Sequence, residues 1–169
     1  LSEAVLDVVH GAEREDLSIS AEETFDTDLS DPARIEAELL ALADRASARL
    51  RAKSLAAGCI AVKVRRADFA TFTRQQQIEP ATQDGRVIGR AATDLLRRWR
   101  GEQPRARIRL LGVGVSELAP ATQFDLFAAG AVPQPPPLDS ALDAIRQRFG
   151  EAGLRRASGL PVGQRRPRR

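Results

Sequence analysis

The stretch from Cys59 to Ile78 reads CIAVKVRRADFATFTRQQQI. Its first part alternates without a break. Ile60, Val62 and Val64 point one way; Ala61, Lys63 and Arg65 point the other. A period of two with one apolar row is a β-strand that buries one face and leaves a basic face outside. RADFA then makes a turn, and TFTRQQQI, residues 71–78, is a second strand that Pro80 ends. The connection is too short for a crossover, so the two strands form an antiparallel hairpin.

A strand and a helix precede the hairpin. SISAEETF, residues 18–25, is rich in β-formers and roughly alternates. Asp31 is placed to cap a helix, and Pro32 suits its first position. Ile35, Leu39, Leu42, Ala43, Ala46 and Leu50 then recur at helical spacing, and Gly58 falls past the end. Downstream, DGRVIGRAATDLLRRWRG, 84–101, repeats the pattern with Ile88, Ala92, Leu95 and Trp99 on one stripe and Gly101 as a stop. RARIRLLGVGVSEL, 105–118, is the last strand, its alternation slipping near Gly112 as at a bulge.

The order is β-α-β-β-α-β, an α+β chain. Each helix joins strands that lie parallel with a third between them, the split βαβ arrangement. One four-stranded sheet carries both helices on one face. Lys63, Arg65, Arg74, Arg107 and Arg109 are candidates for the other face or its rim.

Beyond Leu118 the composition changes. AVPQPPP, 131–137, is a stiff linker. LDSALDAIRQRFG, 138–150, is a short helix with Leu138, Leu142, Ile145 and Phe149 on one stripe. Residues 151–169 are a basic tail, with six Arg and no acid in the last 15 positions. Residues 1–17 are an acidic arm.

The 169 residues suffice for one domain and its tails. Net charge is +3 but uneven: residues 1–44 hold 13 acids and 2 bases, and residues 45–169 hold 10 acids and 24 bases. Nearly all the cations are Arg, which binds phosphate in a planar, bidentate way. This puts nucleic acid first among partners. No apolar run approaches the length of a membrane span, and the acidic start is not a signal peptide. One cysteine excludes an internal disulfide and fits a reducing compartment. The chain has no methionine and begins at Leu1, as expected of a piece of something longer.

Catalytic chemistry finds no support. His10 is the only histidine and lies in the acidic arm, so no Ser–His–Asp or metal-ligand set forms. Asp26 and Asp28 read as turn carboxylates, Gly112 and Gly114 as strand glycines with no helix after them, and Cys59 as a core thiol. The open face can instead follow a phosphate backbone, through its cations and the hydroxyls of Ser18, Ser20, Thr71 and Thr73. It lacks the interleaved aromatics that stack single-stranded bases, which favours a duplex.

SISAEETF, AVKVRRADFATFTRQQQI, RIRLLGVGVSEL and a terminal QFDLF stand in this order over residues 18–127. Together they resemble the little-finger domain and C-terminal tail of Y-family translesion DNA polymerases, of the bacterial DNA polymerase IV (DinB) branch. The resemblance implies a sheet that grips primer–template DNA across the major groove. It places Ser18 and Ile19 of the first strand on the template backbone, with Leu17 where the family usually has Lys; Ser20 joins them as a hydroxyl of the open face. It matches Lys63, Arg65 and Arg66 to the basic second strand, Thr73 and Arg74 to the third, and Arg107 and Arg109 to the fourth. It implies no cofactor in this chain. The magnesium ions of the parent nucleotidyltransferase would be held by a palm domain elsewhere, and the setting would be the bacterial cytoplasm, at the nucleoid.

The segment Gln123-Phe124-Asp125-Leu126-Phe127, within residues 120–130, fits the pentapeptide that binds the β subunit, the bacterial sliding clamp. Leu126 and Phe127 can enter an apolar pocket, Gln123 can satisfy its polar rim, and Asp125 stays in water. Phe124 replaces the commoner Leu. Two other readings stand beside this one. One is a stand-alone clamp-binding adaptor with a ferredoxin-like sheet and no DNA role. The other is the same piece of a catalytically inactive homologue.

Overall fold

The computed structural model describes residues 18–121 and 137–150. In chain order these form β1 (Ile19–Leu29), α1 (Pro32–Ala52), β2 (Leu55–Arg66), β3 (Thr71–Thr82), α2 (Gly85–Glu102), β4 (Ile108–Pro120) and α3 (Pro137–Phe149). The strands make one sheet in the order β1-β4-β2-β3, with every neighbouring pair antiparallel. β1 and β2 therefore run parallel with β4 between them, and β3 and β4 run parallel with β2 between them. The split arrangement expected from the sequence is present twice.

Local chemistry sets the helix starts. The Asp31 carboxylate accepts from the Arg34 N–H at 3.1 Å, and Pro32 occupies the first turn, where a missing N–H costs nothing. Asp84 caps α2 by accepting from the Arg86 N–H at 2.8 Å. The apolar stripes of both helices lie on one face of the sheet. Ile35, Leu39, Leu42, Leu50, Ile88 and Trp99 meet Ile60, Val62, Val64, Leu111 and Val113, all essentially without solvent contact. Each such aliphatic side chain contributes about 1.5–3 kcal/mol on burial.

The structure moves several expected boundaries. α1 ends at Ala52, so Gly58 lies past the helix as expected, but β2 begins at Leu55 rather than Cys59 and takes Gly58 into the strand. Ser54, at φ 53°, makes the turn instead. Pro80 lies inside β3, which runs on to Thr82. β3 is an edge strand, where a residue without an N–H is tolerated. Gly101 is in the last turn of α2. Asp26 and Asp28 belong to β1 rather than to a turn. The register of β4 continues through Gly112; its shift falls at Arg109, between Leu110 and Ile108.

Among the described side chains, α3 meets α1 chiefly through charged groups. Leu142 is buried, but Leu138 and Ile145 remain exposed. Asp139 is fully buried, and Arg51 and Asp44 of α1 meet Asp143 and Arg146 of α3. The acidic arm, the clamp-type pentapeptide, most of the Pro-rich linker and the Arg-rich tail lie outside the described residues.

Candidate nucleic-acid interface

Directly opposed residues of antiparallel strands share a face, so the register assigns the open side of the sheet. Its rows run from β1 through β4 and β2 to β3. Glu22, Gly112, Lys63 and Thr73 make one row, and Thr24, Leu110, Arg65 and Thr71 make the next. Ser20, Gly114, Ala61 and Gln75 lie on the other side of the first row. Small, hydroxyl, amide and cationic groups make up most of this surface, with one carboxylate, Glu22, and one aliphatic side chain, Leu110, among them. Neither aromatic strand residue belongs to it: Phe25 and Phe72 pack against the core.

Of the residues singled out from sequence, Ser20, Lys63, Arg65 and Thr73 come together on this face. Ser18 is exposed just before β1. Ile19 does not join them, because its side chain is buried among the core residues. Arg74 does not either. Thr73 pairs with Lys63 on the open side, so the next residue points to the helix side, where Arg74 Nη2 donates to Glu102 at 2.8 Å.

Arg66, Arg107 and Arg109 gather at the end of the sheet that carries the β2–β3 turn, where Ala67 N–H donates to the Arg107 carbonyl. Arg66 pairs with Asp68, donates to Gln103 at 2.9 Å and lies over the Phe72 ring. Its hydrogen bond to the exposed Asp68 holds that carboxyl below its ordinary pKa. Arg109 donates to Asp28 at 3.0 Å and sits 4.7 Å over the exposed Phe69 ring. Arg107 is exposed, with no ion pair among the described residues. Arg65 Nε donates to the Thr71 hydroxyl at 3.0 Å.

Glu22, Thr24, Leu110 and Gln75 also stand on this face and were not singled out from sequence. Glu22 has the same parity as Ser18 and Ser20, so strand alternation alone could have found it. Its Oε1 and Oε2 accept from Lys63 Nζ at 3.1 and 3.3 Å. Gly112 lies beneath that pair, and this close approach accounts for the glycine better than a bulge does. Among the described residues no cluster of three or more His, Cys, Asp or Glu could hold a metal ion, and no helix is long and apolar enough to cross a membrane.

The family described as the impB/mucB/samB family C-terminal domain matches residues 17–126. The chain belongs to this family. Its curated relatives include a DNA polymerase IV of Streptomyces coelicolor, 47% identical over 120 residues that make up 71% of this chain and 24% of that protein. Another, from Dehalococcoides mccartyi, is 37% identical over 134 residues, 79% of this chain and 34% of the relative. The chain thus spans about a quarter to a third of the length of these polymerases.

In fold it matches the little-finger domain of PolIV solved in complex with a β-clamp processivity factor. The TM-score is 0.51 at 22% identity, covering 62% of this chain and 91% of that one. It also matches a Dbh ternary complex, with a TM-score of 0.54 at 17% identity, over 60% of this chain and 29% of that one. The α+β architecture is that of the Y-family little finger. With relatives named as polymerases, the stand-alone adaptor is not favoured.

Proposed function

We propose that this chain holds primer–template duplex DNA by its backbone and tethers a translesion polymerase to the sliding clamp. The observation that carries the first half is the open face itself. α1 and α2 lie on the opposite side of the sheet, and Lys63, Arg65, Ser20, Thr71 and Thr73 share the side that no helix among the described residues covers. Cations and hydroxyls on a flat strand surface contact phosphates without reading base edges. The absence of aromatic strand residues from this face disfavours stacked single strands.

The second half is supported by Gln123-Phe124-Asp125-Leu126-Phe127 following the last strand, and by the clamp in the neighbour's complex. The chain contributes binding; nucleotide transfer and its two magnesium ions belong to the palm of a parent polymerase, in the cytoplasm. Whether that palm is competent is a property of the parent.

Backbone amide shifts of the labelled chain during duplex titration test the DNA reading. The largest changes are expected in β2, β4 and the β2–β3 turn. Changes confined to the outer surfaces of α1 and α2 would overturn it.

A further inference from the structure

Glu22 is a carboxylate in the middle of a face that is otherwise suited to phosphate. It stands on β1 and Lys63 on β2, with β4 between them. Adjacent strands are about 4.8 Å apart, so the two backbones are separated by roughly twice that. The side chains meet because the residue opposite both is Gly112. A Cβ at Gly112 would lie 2.9 Å from Glu22 Cγ. The glycine is a slot in which the Glu22 side chain lies to reach Lys63.

Resting on the DNA reading of this face, we infer that Glu22 is an internal competitor for the phosphate backbone. It occupies Lys63 in the free chain and must be displaced when duplex binds. The pair is well placed for exchange. Both side chains are partly exposed, at 36% and 40%, and such surface pairs contribute little to folding. Lys63 is therefore held ready but not locked. Duplex affinity is set below what the face's cations alone would give, which suits a platform that must move along DNA.

The test is equilibrium binding of a labelled primer–template duplex to the 169-residue chain and to Glu22→Gln, over a range of salt concentrations. Glu22→Gln is expected to bind about two- to fivefold tighter at low salt, the scale of an exposed ion pair. The slope of log affinity against log salt should steepen by up to about 0.9, one further counterion. Thermal stability, which reports a merely structural pair, should stay unchanged. Gly112→Ala, which crowds the carboxylate out of its slot, should shift affinity the same way. In Glu22→Gln/Lys63→Gln the gain should vanish.

Equal affinity and slope in parent and Glu22→Gln, or a gain that survives loss of Lys63, would overturn the competitor role while leaving the DNA face intact. No duplex binding by any of these chains would remove the DNA reading, and this inference with it.

Discussion

Arg51 of α1 and Asp143 of α3, 92 positions apart, meet through two hydrogen bonds, Nε to Oδ2 at 2.6 Å and Nη2 to Oδ1 at 2.8 Å. This is the planar fork that Arg forms with a carboxylate and Lys does not. The same guanidinium reaches the Gln83 carbonyl at 3.1 Å and Asp139 at 3.5 Å. Burial works against its charge. The hydrogen bond to Asp143 and the fields of Asp143, Asp139 and Asp44 more than compensate, raising its pKa above the ordinary arginine value.

Replacing Arg51 by Ala should therefore detach α3. Breaking a buried pair leaves a charge without its partner, at a cost of about 3–5 kcal/mol. Hydrogen exchange should show the amides of α3 losing protection while those of β2 and β4 keep theirs. Arg51→Lys should fall between, because it loses the fork. Unchanged protection of α3 in Arg51→Ala would mean that the helix is held without Arg51, by contacts such as Leu142 and the Asp44–Arg146 pair.

Asp84 offers a second prediction. Its carboxylate accepts from the Arg86 N–H and pairs with the Arg86 guanidinium at 3.3 Å. Burial opposes its charge, but these bonds prevail and its pKa is lowered. Asp84→Ala should cost about 1 kcal/mol, and Asp84→Asn less, in denaturant unfolding. A lowered folded pKa means that the contribution is present above the unfolded value, about 3.9. It is lost as pH falls through the folded one. The gap between parent and Asp84→Ala should accordingly be constant from pH 7 to 5 and close in more acid solution.

Trp99 has 1% of its surface exposed, and its ring centroid lies 5.8 Å from that of Phe72. Its indole N–H finds no acceptor among the described residues. A buried donor left unpaired is a cost in the folded state. Trp99→Phe should keep a ring contact and remove that cost while leaving a smaller cavity than Ala, so it should cost less than Trp99→Ala. Trp99→Ala should lose about 3–5 kcal/mol. Urea melts followed by circular dichroism separate the two, because the chain's only tryptophan is removed in both.

The proposed clamp tether assigns its contact to Leu126 and Phe127. Burying both offers roughly 3–6 kcal/mol before ordering costs, consistent with a micromolar tether. Leu126→Ala/Phe127→Ala should weaken binding to immobilised bacterial clamp at least about tenfold, while duplex affinity stays as in the parent. Clamp affinity that does not change would remove the tether from the account.

The sequence made the core legible because periodicity reports burial. The stripes Ile35–Leu50 and Ile88–Trp99 and the alternation Ile60–Val64 all reach the interior as expected. Strand ends were less visible. Gly58 and Pro80 are breakers in isolation, but a bulge and an edge position accommodate them. Arg74 was hard to place because one residue of register reverses its side; the pairing of Thr73 with Lys63 decides it. The Glu22–Lys63 contact spans three strands, and strand order is not written in either residue's neighbours. α3 hid its docking for a different reason. An apolar stripe does not name its partner, and Arg51, which pairs with Asp139 and Asp143 of α3, is distant in sequence.

The central claim is that the uncovered side of the sheet meets the DNA backbone, and salt dependence tests it most directly. Duplex affinity of the full chain should fall linearly in log–log form with added salt. Arg65→Gln/Arg107→Gln, which removes one cation of the face and one at its β2–β3 end, should flatten that slope by up to about 1.8, two phosphate contacts. The loss should be the same for duplexes of different sequence. A slope indifferent to these two substitutions, with affinity intact, would contradict the account.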